Sequence, residues 1–223
     1  MQTISEIKKR AQDRKGGAKA LETLLQDANL KTDTLDLTDD RILSELSKRV
    51  FQAGFNWSVV ENKWSGFETA FHQFDIGRNA MMFDDDFDAH LKNTAIIRHA
   101  KKILSVRDNA IFLSDLAKEH GSVAQFINDW PSNDLVGLWD VMKKRGSRLG
   151  GTTGQYALRF LGKDSFTLSR AVEAALLHIG VVDGPTTSKS ARRKIQDAFN
   201  MWQEETGESY TRLSRILAMS VDV

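Results

Sequence analysis

The chain has 223 residues, 41% hydrophobic and 27% charged, with a net charge of +1, a balance expected of a soluble globular protein long enough to bury its own core as one domain of one or two lobes. No apolar run approaches the roughly 20 residues needed to span a bilayer, and the opening MQTISEIKKRAQDRKGG has charges but no apolar segment, so neither a membrane span nor a secretory leader is expected and the cytoplasm is the predicted location. The absence of cysteine excludes disulfides, thiolate catalysis and thiolate-bound zinc, and the histidines (His72, His90, His99, His120, His178) are scattered without an HxH or HxxxH pair, so no metal and no cofactor is expected.

The chain reads as helix almost throughout, because apolar residues recur at spacings of three and four and no sustained alternation appears. Leu21, Leu24 and Leu25 mark a helix after the Gly16-Gly17 joint. A polar stretch from Lys31 to Asp40 follows. Asp39 or Asp40 is positioned to cap a helix carrying Ile42, Leu43, Leu46 and Val50. Ser114 is a candidate cap for a short helix from Asp115 to Glu119, which Gly121 ends. Ala171, Ala174, Ala175, Leu176 and Ile179 form the stripe of a further helix stopped by Gly180. After a loop from Asp183 to Lys189, Ser188 or Ser190 opens a helix through Trp202, and Gly207 closes it. About ten helices are predicted, in an all-α fold. The motif-bearing core covers about residues 40–183, with helices of 1–39 and 184–223 packing on it, and the whole forms a single domain.

Charge is uneven along the chain. Lys143, Lys144, Arg145 and Arg148 fall within six residues, Arg192, Arg193 and Lys194 form a second group, and acids gather at Asp84-Asp85-Asp86. The first basic group ends an apolar helix. A turn with Gly146, Gly150 and Gly151 follows, and a new helix starts near Thr152. Glycine lets the backbone approach a ligand closely, and the unpaired N–H groups at a helix start favour an anion. Gly150, Gly151, Thr152 and Thr153, with the four basic residues, therefore form a candidate phosphate site. The other reading of the same residues is a glycine-rich loop between packed helices with a solvated basic face.

Three more segments accompany this hairpin: Phe51-Gln-Ala-Gly-Phe-Asn-Trp57, Phe71-His-Gln-Phe-Asp75 and Ile96-Ile-Arg-His-Ala-Lys-Lys-Ile103. Together with Lys143-Lys-Arg-Gly and Gly151-Thr-Thr, they resemble the motifs of type I 3-methyladenine DNA glycosylases of the helix–hairpin–helix superfamily, in family order, over roughly residues 40–170. The resemblance implies helical lobes around a cleft, recognition of double-stranded DNA from the minor groove, extrusion of one nucleotide and base excision repair. By position, Gly54 and Phe55 resemble the plug inserted into the base stack. Trp57 resembles the aromatic platform for the extruded base, with Gln52 and Arg49 beside it in the base pocket. Without the resemblance, core packing is the plainer reading of Phe55 and Trp57.

The chain also departs from this family. The zinc-binding cysteines have no counterpart. Arg49 stands where the family has a pocket glutamate, and Glu45, four residues earlier, is placed to pair with it, either in the pocket or as an ordinary exposed helical pair. The wider superfamily's catalytic aspartate falls near Gly162-Lys-Asp-Ser-Phe-Thr-Leu168, where strict spacing selects Ser165 and Asp164 is one residue earlier; helix capping is the competing role for both. Glu61, one turn after Trp57, is a second candidate carboxylate, against a surface role. Nothing marks Lys163 as a Schiff-base nucleophile. The expected activity is that of a monofunctional, monomeric DNA glycosylase hydrolysing the bond to a damaged, alkylated purine, with Asp164 or Glu61 supporting catalysis. The alternatives are a DNA-binding protein that kept the fold without the chemistry, and a small-molecule or protein-binding descendant.

Overall fold

The computed structural model describes residues 2–26 and 36–222, and part of the predicted polar joint from Lys31 to Asp40 lies outside them. In chain order the α-helices are α1 (Ile4–Lys15), α2 (Ala18–Leu25), α3 (Asp39–Gln52), α4 (Trp57–Asn62), α5 (Trp64–Ala70), α6 (Ile76–Ala80), α7 (Asp84–Lys92), α8 (Ala100–His120), α9 (Val123–Asp129), α10 (Leu135–Arg145), α11 (Thr152–Leu161), α12 (Arg170–His178), α13 (Lys189–Thr206) and α14 (Tyr210–Met219). The fold is all-α, with no strand among the described residues. Among the described residues fourteen α-helices stand where about ten were expected, largely because α4 to α7 are 5 to 9 residues long, too short for an apolar period to repeat.

The predicted stops at Gly121, Gly180 and Gly207 all have positive φ, and Ser188 caps α13 through the Ala191 N–H. Two expected starts differ. Thr38 occupies the cap position of α3, while the Asp39 carboxylate accepts the backbone N–H of Val123 instead. Ser114 starts no helix, because α8 runs unbroken through it for 21 residues.

The described helices group into two compact units, with one boundary between Leu161 and Gly162, inside the stretch 40–183. The first unit comprises the described residues of Met1–Asp33, Pro131–Gly137 and Gly162–Val223. Here α14 is central and packs against α1, α2, α12 and α13. Phe166 stacks on Phe199 at 4.1 Å between ring centres, with Trp202 fully buried beside them. Lys8 and Arg212 join Glu22 and Glu208 in an ion-pair network linking α1, α2 and α14.

The second unit comprises Leu138–Leu161 and the described residues of Thr34–Trp130. Its long helix α8 packs against α3, α6, α7 and α9, and α11 packs against α3. The Phe71-His-Gln-Phe-Asp75 motif has a structural role here. Phe71 and Phe74 are fully buried and stack together at 5.6 Å, and Phe74 stacks on Trp64 at 5.4 Å. His72, Gln73 and Phe74 all adopt left-handed backbone, with φ of 54°, 55° and 58°, at a cost of about 1–2 kcal/mol per residue. The turn is held by Asn79, whose Nδ2 donates to the carbonyls of Phe71 and Asp75, both at 2.7 Å. Arg41 adds a hydrogen bond to the Gln73 carbonyl.

Candidate nucleic-acid interface

The residues predicted to meet a base and its phosphates mostly fall in the second unit, on α3, α4, α10 and α11 and the turns that follow α3 and α10. Helix α3 ends at Gln52, and Gly54 follows with φ of 76°. A side chain there would meet nothing within 4 Å, so the left-handed backbone, not space, is what calls for glycine. The Phe55 N–H closes the turn on the Gln52 carbonyl at 3.0 Å. The turn presents Phe55 to solvent at 41% exposure, which makes core packing the wrong description of this ring.

Trp57, at the start of α4, is also half-exposed. Its ring meets Tyr156 and Phe160 edge-on at 5.9 and 6.1 Å. Those two residues lie four apart on α11 and so share a face. Phe160 is itself 52% exposed and lies outside every motif of the sequence. The three rings form an exposed aromatic wall.

Arg49 lies against this wall. Its guanidinium carbon is 3.8 Å from the Phe160 ring centre and 5.4 Å from that of Trp57. The predicted ion pair with Glu45 exists at 2.5 Å, but it is not an exposed one: the side chains are 6% and 19% accessible. Burial raises the Glu45 carboxyl above its ordinary range, and attraction to Arg49 only partly opposes this.

Gln52 is buried one turn further along α3. Its Nε2 donates to Glu61 at 2.9 Å, while its Oε1 is buried without a hydrogen-bond partner. Glu61 is half-exposed and also pairs with Lys48 at 3.4 Å. The Glu61 carboxylate, one turn after Trp57 on the same helix, is thus held in place by an amide and an ammonium.

The hairpin has the predicted order of helix, glycine-rich loop and helix. Lys143, Lys144 and Arg148 are exposed, as are Gly151 and Thr152, while Gly150 and Thr153 are partly covered. Arg145 is exposed too, but its guanidinium is committed to Glu119 by two hydrogen bonds of 2.7 Å. This acid partly neutralises the basic group and was not foreseen. Close packing in the hairpin falls most heavily on Gly154, beyond the turn glycines Gly146, Gly150 and Gly151. A Cβ there would lie 2.4 Å from the Leu149 carbonyl oxygen, at the point where α11 begins.

Asp164 belongs to the first unit. Its two carboxylate oxygens accept the backbone N–H groups of Tyr210 and Thr211, each at 2.9 Å. It therefore caps α14, a helix 46 residues away in sequence, and this gives the carboxylate a structural role. Ser165 is fully buried, and its backbone N–H donates to Thr211 Oγ1.

Lys102 and Asn109 on α8 are further buried polar residues at this interface. Lys102 Nζ donates to the carbonyls of Phe51 and Ala53, and Asn109 brackets Ser147 in the hairpin loop. Lys102 falls within the Ile96–Ile103 motif, whereas Asn109 is marked in the sequence only as a polar residue within an apolar helical stripe.

The chain has no cysteine, and among the described residues no three histidines or carboxylates gather around a common point. Among the described residues no helix is long and apolar enough to cross a membrane.

The methyladenine glycosylase family matches residues 34–144, from before α3 to the end of α10. DNA-3-methyladenine glycosylase of Haemophilus influenzae is 34% identical over 124 residues, covering 48% of this chain and 67% of that protein. Among solved structures, a 3-methyladenine DNA glycosylase I superposes with a TM-score of 0.50 at 26% identity, covering 59% of this chain and 82% of the other. The 8-oxoguanine glycosylase/lyase of Methanocaldococcus jannaschii, solved with a 15mer DNA containing 8-oxoguanine, superposes with a TM-score of 0.55 at 13% identity over 96% of this chain and 95% of its own, a likeness of fold alone. The fold is that of a helix–hairpin–helix DNA glycosylase. The chain belongs to the methyladenine glycosylase family. The matched residues include Arg49, Gln52, Gly54, Phe55, Trp57 and Glu61, and stop before the glycine loop and Asp164.

Proposed function

We propose that this protein is a monofunctional DNA glycosylase of base excision repair, which extrudes a damaged, alkylated purine from double-stranded DNA and hydrolyses its N-glycosidic bond. The observation that carries the reading is the exposed Trp57, edged by Tyr156 and Phe160, on the helix that follows the Gly54-Phe55 turn. Large aromatic rings left half in water next to a glycine turn suit a stack that is completed by a base. Stacking of this kind is worth ~1–3 kcal/mol per base. An apolar wedge such as Phe55 offsets the unstacking that extrusion requires. Lys143, Lys144, Arg148 and the start of α11, Gly150 to Thr153, serve as the phosphate contact. Duplex DNA is the partner, the protein acts as a monomer, and the cytoplasm is its compartment.

In the reaction the bond between C1′ and the base nitrogen breaks with its electron pair going to the base. Water oxygen bonds to C1′, and a water proton ends on the base. Positive charge develops on the sugar, and a fixed carboxylate stabilises it. Glu61 suits this role better than Asp164, because Gln52 and Lys48 hold its carboxylate one turn from Trp57 on the same helix, whereas Asp164 is engaged at the start of α14. Arg49 bears on the substrate. Glu45 balances the guanidinium, but no free carboxylate is left at the family's glutamate position to attract a permanently cationic base such as 3-methyladenine, so the preferred lesion is an uncharged one.

Arg49 at the family's glutamate position also favours a second reading, a DNA-binding protein without the chemistry. A screen of duplexes carrying different alkylated and otherwise modified purines, with wild type, Trp57→Ala and Glu61→Gln, separates the two. Excision of an uncharged lesion, lost in Trp57→Ala and slowed in Glu61→Gln, supports the glycosylase. Tight, salt-dependent duplex binding without excision of any lesion selects the second reading. Excision of 3-methyladenine in preference to all others overturns the assignment for Arg49.

A further inference from the structure

The Ile96-Ile-Arg-His-Ala-Lys-Lys-Ile103 segment has so far been given no role. It opens α8, and two buried polar residues of this helix reach the two turns just described. Lys102 is 2% exposed, and its ammonium donates to the carbonyls of Phe51 at 3.0 Å and Ala53 at 2.6 Å, where α3 ends. The same ammonium lies 4.4 Å from the centre of the Phe55 ring. Asn109 is fully buried, and it grips one residue of the hairpin loop from both sides. Its Oδ1 accepts the Ser147 N–H at 2.7 Å, and its Nδ2 donates to the Ser147 carbonyl at 3.1 Å.

These two residues are seven apart on one continuous helix. Seven residues make nearly two full turns, so both side chains leave the same face about 10 Å apart along the axis. The Phe55 turn and the phosphate loop come from segments some ninety residues apart in sequence, and α8 bridges both with charged or paired hydrogen bonds. Such bonds are among the stronger ones in a protein and fix direction as well as distance.

We propose that α8 is the spacer that sets the wedge turn against the phosphate loop, with Lys102 positioning Phe55 and Asn109 positioning the hairpin, so that phosphate binding and base extrusion occur in register on one duplex. This rests on the reading of the protein as a base-extruding DNA glycosylase. Neither residue needs to touch DNA; each acts through the backbone that it holds.

The test uses the full chain and a duplex with 2-aminopurine beside an abasic site, with binding followed by anisotropy and extrusion by 2-aminopurine fluorescence. Lys102→Met is expected to reduce the fluorescence rise at saturating protein while changing duplex affinity by less than about threefold, and Lys102→Arg to recover part of it, since a guanidinium keeps the charge and the donors. Asn109→Ala is expected to weaken duplex affinity about five- to tenfold, the size of one or two lost hydrogen bonds, with the rise at saturation retained. Asn109→Asp, which keeps the acceptor for Ser147 N–H, is expected to fall between. Amide exchange over 53–56 and 146–151 gives a readout in the folded protein and should quicken in the matching variant only. If affinity, fluorescence and exchange stay at wild-type values in both Lys102→Met and Asn109→Ala, or both signals fall together in every variant, the spacer role is overturned. If wild type itself neither binds nor extrudes, the glycosylase reading fails instead.

Discussion

The guanidinium of Arg49 is stacked on the ring of Phe160, 3.8 Å from its centre, and its charge is balanced from the other side by Glu45. A buried pair of this kind is costly to break, because removing one partner strands the other charge away from water. Glu45→Ala is therefore expected to destabilise the fold by ~3–5 kcal/mol, whereas Glu45→Leu combined with Arg49→Met costs far less. Chemical denaturation of the three proteins checks this, and an unchanged midpoint for Glu45→Ala would sink it.

Lys102 links stability to pH. Burial, with a further contribution from Arg148, lowers its pKa from 10.5 to about 8. Between these values the unfolded chain holds a proton that the folded protein has released, so this group's contribution to stability rises with pH across that window and is flat below it. Thermal melts of wild type and Lys102→Met from pH 7 to 10.5 should show wild type gaining on the variant above about pH 8. A constant difference across the range contradicts the assignment.

Asp164 is expected to matter for folding and not for bond cleavage. Its carboxylate receives two N–H groups at the start of α14, and loss of such a cap costs ~0.5–2 kcal/mol. Asp164→Ala should lower the melting temperature while the excision rate of the folded protein stays at the wild-type value. A rate loss of a hundredfold or more at full folding would return Asp164 to the chemistry, since removing an acid–base group costs about 10²–10⁴-fold.

Gly154 reports on the hairpin. Its Cβ position is 2.4 Å from a backbone oxygen, so Gly154→Ala cannot be absorbed by a side-chain rotation and is expected to cost ~1–3 kcal/mol. Duplex affinity should fall with it, because the start of α11 and the loop must shift. Gly150→Ala meets only the Lys143 side chain, at 3.2 Å, and should be milder in both measurements.

The elements that were legible in the sequence are those whose cause is local. The cap at Ser188 and the helix-ending glycines act within a few residues of themselves, and amphipathic period marks long helices such as α13. What was misread has a distant cause. Ser114 looks like a helix start, but it lies inside a helix whose apolar faces are covered by α3, α6 and α9, and tertiary burial overrides a capping signal. Asp164 looks like a candidate near a hairpin, but its partners lie 46 residues away.

By itself the sequence determined the class of fold, the family motifs, the placing of Phe55 and Trp57 next to a glycine turn, and the presence of Arg49 where a carboxylate was expected. Only the tertiary structure decided that Arg49 is buried against Phe160, that Glu119 takes up Arg145, and that Lys102 and Asn109 hold two distant turns from one helix. The reason is physical. Period and turn chemistry are set by neighbours along the chain, whereas burial, ion pairing and the reach of a long side chain depend on which helices pack together, and here they bring Arg49 to Phe160 across more than a hundred residues.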